Sequence, residues 1–144
     1  MSIRLVLAAC AVAALSGGLL VAPAQAGAQA GPPAAGTTLE TRLRPSGDPD
    51  GRGEATVRLN ADRGRVCAAI TWANIQAPQA AHIHKQSNGA IVVDLTGAVT
   101  GGKRCTAGVS SGLIAKIVAH PRRYYVNVHN ATYPAGAIQG TLHR

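Results

Sequence analysis

The stretch AHIHKQSNGAIVVDL, residues 81–95, decides the fold. Its first part alternates small or apolar Ala81 and Ile83 with His82 and His84. Alternation with a period of two is the mark of a strand with one face buried. Asn88-Gly89 follows, a pair that tolerates the left-handed backbone of tight turns. Ile91, Val92 and Val93 then run on as a second strand. The segment therefore reads as a β-hairpin with two histidines on the face away from the core.

The same grammar extends in both directions. TLETRLRP sets Leu39, Thr41 and Leu43 against Glu40, Arg42 and Arg44. EATVRLN puts Val57 and Leu59 on one side. RVCAAITWANI puts Val66, Ala68, Ile70 and Trp72 on one side, and Trp72 reads as a core filler. GGKRCTAGV is a further strand or loop. SSGLIAKIVAHP differs: Leu113, Ile114, Ile117 and Val118 recur at helical spacing, Ser110 or Ser111 serves as cap, and Pro121 stops the run. One or two helical turns are expected there, with His120 at the helix end. YYVNVHN is a strand, TYPAG a turn and AIQGTLHR the last strand. Asn130 reads as an Asx turn residue, although Asn130-Ala131-Thr132 also fits a glycosylation sequon.

The expected fold is all-β. It is an immunoglobulin-like or superoxide-dismutase-like antiparallel sandwich or barrel of about seven strands, with one short helix.

The N-terminus follows other rules. Met1–Arg4 is short and basic, Leu5–Ala22 is apolar, and Ala24-Gln25-Ala26 fits a cleavage site. Residues 1–26 read as a signal peptide, 27–37 as a flexible Gly/Pro-rich leader, and 38–144 as one domain. An uncleaved anchor and a lipidation box ending at Cys10 are rival readings. Gly17, Gly18 and the cleavage site speak against the anchor. The few apolar residues before Cys10, and their continuation after it, speak against the lipid. The expected product is secreted or extracytoplasmic, with no membrane span after cleavage.

Of three cysteines, Cys10 leaves with the signal peptide. Cys67 and Cys105 remain, an even pair in an exported chain. A disulfide between them would stabilise the fold by roughly 3–4 kcal/mol in the chain-entropy model. Two buried free thiols are the alternative.

Lys and Arg number 14 against six Asp and Glu. The charge is scattered, Phe is absent, and no stacking platform for single strands is visible, so nucleic acid is not an expected partner. A solvated basic surface, or attachment to acidic envelope polymers, fits better. No G-x-S-x-G elbow or phosphate loop is present. Glu40 and Glu54 are the only glutamates, and nothing marks them as a catalytic pair.

Strand parity carries the functional reading. His82 and His84 share a face, with positions two apart separated by roughly 6–7 Å. In YYVNVHN, Val126 and Val128 face the core, while Tyr125, Asn127 and His129 face away. If these strands are neighbours, three imidazoles converge. Such a set suits Cu or Zn, with Asp94 or His143 as an added ligand or supporting partner. The competing reading is structural: imidazoles that hydrogen-bond loop groups and hold a hairpin mouth without an ion. His143, close to the C-terminus, is expected to fray.

AHIH, then NGAIVVDL, and the ending YYVNVHNATYPAGAIQGTL together resemble the CHRD domain, which repeats in chordin and occurs singly in exported bacterial proteins. The likeness covers about residues 38–143. It implies an exported β-sandwich with no established enzymatic activity. The expected role is binding of a protein or an envelope polymer, through the polar face with His82, His84, Tyr125, Asn127 and His129. Two departures stand out: Lys85-Gln86 occupies a loop where the family commonly has Gly, and Gln139 replaces a common Arg. H-x-H on a strand is also similar to copper/zinc superoxide dismutases, but their two-metal centre needs roughly six His and an Asp. This chain has five His in all.

Overall fold

The computed structural model describes residues 36–144. The expected signal peptide and nearly all of the expected leader lie outside the described residues.

Eight strands form one antiparallel sheet that curls into a nearly closed barrel. They are β1 (Thr37–Pro45), β2 (Arg52–Asn60), β3 (Arg65–Ala73), β4 (Ala80–Lys85), β5 (Ile91–Asp94), β6 (Cys105–Ala107), β7 (Tyr124–His129) and β8 (Ile138–Thr141). Their order is β5-β4-β7-β8-β1-β2-β3-β6. β1 belongs to both halves. Thr37 to Leu43 pair with β2, whereas Arg44 and Pro45 pair with Gln139 and Ile138 of β8. At this crossing the backbones approach closely. A Cβ on Gly140 would overlap the Arg42 carbonyl and the Thr41 hydroxyl, which is why the last strand carries glycine there. The two edge strands meet through Thr106, whose hydroxyl donates to the Asp94 carbonyl.

Alternation explains the core. Leu39, Leu43, Val57, Leu59, Val66, Ile83, Val126, Val128, Ile138 and Leu142 are fully or almost fully buried. Helix α1 (Ser111–Ala119) adds Ile114 and Ile117. The Ser110 hydroxyl accepts from the Leu113 amide at 3.1 Å, so Ser110 is the cap. His120 sits at the C-cap, followed by Pro121 in a short 3-10 turn. The helix runs nine residues, slightly longer than expected, because Ile114 and Ile117 both reach the core. It covers the barrel end where β1 begins and β2 finishes.

The expected bond between Cys67 and Cys105 is present, and the two face each other across the β3–β6 ladder. Two expectations fail. Trp72 is not a core filler: it is 37% exposed. It continues the parity of Val66, Ala68 and Ile70, but β3 runs past the packed layer, and the indole comes to lie at the open end opposite α1. His143 does not fray. Its backbone exchanges two hydrogen bonds with Glu40, at 2.8 and 3.0 Å.

The candidate three-histidine centre

β4 and β7 are neighbours, with His82 opposite Asn127, His84 opposite Tyr125 and Ala80 opposite His129. This register brings His82, His84 and His129 together, with one ligating nitrogen from each lying within 4.8 Å of the others. Ring centroids stand 5.1–5.8 Å apart. Ala81 and Ile83 are fully buried on the opposite face. The parity is as read, but the face is less wet than expected. His84 is only 7% exposed, because the 86–90 turn folds over it and the Tyr125 ring stacks on it at 5.1 Å. The turn is set by Gly89 in the left-handed region and by Asn88, whose side chain accepts from the Ala90 amide.

Hydrogen bonds select the tautomers. His84 Nδ1 donates to the Gly89 carbonyl at 2.7 Å. His129 Nδ1 donates to the Pro134 carbonyl at 3.0 Å. Both rings therefore carry their lone pair on Nε2. His84 Nε2 is buried and has no hydrogen-bond partner. His129 Nε2 lies 3.2 Å from His82 Nδ1. On the far side of the His82 ring, Nε2 faces Asp94 Oδ1 at 3.9 Å. Of the two extra residues considered, Asp94 is beside the cluster, and His143 is instead paired to β1.

Electrostatics favour the neutral form of His82 and of His129. His82 is held below the ordinary histidine range, first by burial, then by His129 and His84, with Asp94 opposing. His129 is lowered first by burial; the Pro134 carbonyl opposes this, and His84 adds to the lowering. Asp94 is held below the carboxylate range chiefly by hydrogen bonds from Thr96, with a smaller push from His82. Neutral His82 and His129 beside an ionised Asp94 suit a divalent ion, which binds imidazole through an unprotonated nitrogen.

The geometry fits such an ion. Two nitrogens on a tetrahedral zinc with bonds of 2.0–2.1 Å are separated by roughly 3.3 Å. The His82–His129 pair already stands at 3.2 Å. The buried His84 Nε2 would supply the third donor, and Asp94 would hold the remaining His82 N–H.

Asn127 and Tyr125 frame the site. Asn127 is buried, and its Nδ2 donates to the Ala135 carbonyl at 3.0 Å. Gly136 lies against it with φ at 135°, and a Cβ there would collide with the Asn127 amide. The same loop is pinned by Asn130, whose Oδ1 accepts from the Tyr133 amide at 2.8 Å. That side chain is buried, so the turn reading holds. Sequence reasoning missed the carbonyls of Gly89 and Pro134 as tautomer-setting partners. Only the nearness of each to a histidine, five residues along the chain in both cases, hinted at the link.

The chain matches the CHRD domain family over residues 13–142. It belongs to that family. No curated protein and no solved structure matches it.

Proposed function

We propose that this protein is an exported CHRD binding module that holds one Zn or Cu ion through His82, His84 and His129. Family membership supports the binding role. The disulfide suits an extracytoplasmic setting. No helix among the described residues is long and apolar enough to cross a membrane. A single observation carries the metal reading: a buried, unpartnered His84 Nε2 beside two further imidazoles whose nitrogens lie within 4.8 Å. An orphaned buried acceptor is unfavourable by about 1–3 kcal/mol, and a cation removes that penalty.

The ion would orient the 86–90 turn against the 130–137 loop and present a rigid polar face with Tyr125. No catalytic step is assigned. The test is metal stoichiometry after loading with Zn²⁺ or Cu²⁺ and dialysis. One ion per chain is expected, and none in a His82→Ala/His84→Ala variant. Wild-type protein that retains no ion at micromolar metal would overturn the reading.

The 3.2 Å contact between His82 and His129 favours a second reading. As a simple hydrogen bond, it would brace the hairpin without an ion. In that case the double variant loses stability but metal binding is absent from both proteins.

A further inference from the structure

The one tryptophan of the chain is its most exposed aromatic-bearing anomaly: parity sends it inward, yet it is 37% exposed. It pairs across the β2–β3 ladder with Gly53, which offers no side chain to cover it. Around it is an open cleft of about 440 Å³ lined by Trp72 with Arg42, Arg44, Arg52 and Glu54. Arg42 lies 3.9 Å from Glu54. Arg44 and Arg52 make no ion pair among the described residues. The cleft thus holds two cations in excess, set beside a flat apolar ring.

The cleft does not end there. Arg42, Arg44, Pro45 and Glu54 also line a polar trough of about 780 Å³ on the outer face of β1 and β8. That trough carries Gln139, Thr141, Gln86 and Tyr125, and also the Glu40 carboxylate, so the cationic excess lies at the Trp72 end. Hydrogen-bonding side chains dominate it, and cleft and trough each hold an aromatic.

We propose that the Trp72 cleft and its trough bind an acidic saccharide chain, a polymer of carboxylate-bearing sugars. The ring of such a sugar has an apolar C–H face that suits the indole. Its carboxylate suits the forked donors of Arg44 and Arg52. Its hydroxyls suit the amides and hydroxyls of the trough. An acidic peptide would use the same arginines, but it brings few hydroxyls to the hydrogen-bonding side chains of the trough. This inference rests on the binding-module reading and not on the histidine centre.

Because Trp72 is the sole tryptophan, its emission reports the cleft directly. The experiment titrates chelator-treated mature protein with an oligomer of galacturonic acid, with a neutral glucose oligomer, and with an oligoglutamate peptide. A saturable emission change is expected with the acidic sugar alone. Arg44→Gln/Arg52→Gln should weaken it about tenfold or more. Lys85→Gln/Arg122→Gln removes the same charge outside the cleft and should leave affinity within about twofold. Calorimetry on Trp72→Ala, with its melting temperature checked, should show the same loss. Equal weakening by the outside pair would mean diffuse attraction to a basic protein and would overturn the proposal. So would an equal response to the neutral sugar, or tighter binding of the peptide. Metal stoichiometry is measured separately, so failure here leaves the histidine reading standing.

Discussion

His84 is held from two directions. Its Nδ1–H bonds the Gly89 carbonyl and its face lies on Tyr125. The remaining nitrogen cannot turn to solvent. Neighbouring residues are fixed in the same way, and two predictions belong to this scale. Gly136 has a positive φ and abuts Asn127, so Gly136→Ala combines backbone strain with overlap. It should destabilise the fold by about 2 kcal/mol or more, read as a lowered urea midpoint at unchanged slope. The second concerns pH. His82 and His129 titrate below their unfolded value of about 6.5, chiefly through burial. The unfolded chain therefore binds protons first as pH falls, and stability drops. In metal-free protein the urea midpoint should be flat above about pH 7 and decline from about pH 6.5 downward as the lowered values are reached. His82→Gln/His129→Gln should flatten that decline; an unchanged slope would show that other groups govern it.

At the scale of elements, the barrel halves are tied by different means. β1 joins them by backbone pairing, with Gly140 permitting the crossing. β6 is short and has the disulfide as its main anchor. Removing that bond opens a loop with a sequence separation of 38. Cys67→Ala/Cys105→Ala should lower stability by roughly 3–4 kcal/mol, measurable by chemical denaturation. If β6 rested on its pairing alone, the loss would be small. The helix supports the opposite end through Ile114 and Ile117. Its existence was legible from 3.6-residue spacing and from Pro121. Its cap residue was narrowed to two serines, and only the hydrogen bond from Leu113 selected Ser110.

For the whole molecule, metal and fold are linked. An ion that binds the native histidine set and not the unfolded chain stabilises by about 2.7 kcal/mol at a hundredfold excess over its dissociation constant. At that excess, Zn²⁺ or Cu²⁺ should therefore raise the melting temperature of the wild type by about 10–20 °C, at roughly 4–8 °C per kcal/mol for a domain this small. The His82→Ala/His84→Ala variant should show no such rise. A matching rise in both would place the ion elsewhere.

By itself the sequence determined which side chains of each strand share a face and which face is apolar, because side-chain direction alternates with a fixed period and apolar burial drives the choice. That was enough for an all-β barrel, for the inward Ile83 and Val126, and for two histidine-bearing faces. It also supplied the cysteine pair, since only Cys67 and Cys105 lie beyond the expected signal peptide. The tertiary structure alone decided that β4 lies beside β7, which turns three scattered imidazoles into one cluster. It decided as well that His84 is buried, that Trp72 emerges at the barrel end, and that His143 is tied to Glu40. Strand periodicity is local, whereas neighbour choice, barrel ends and loop cover depend on pairing between segments far apart in the chain, for which one sequence holds no local signal.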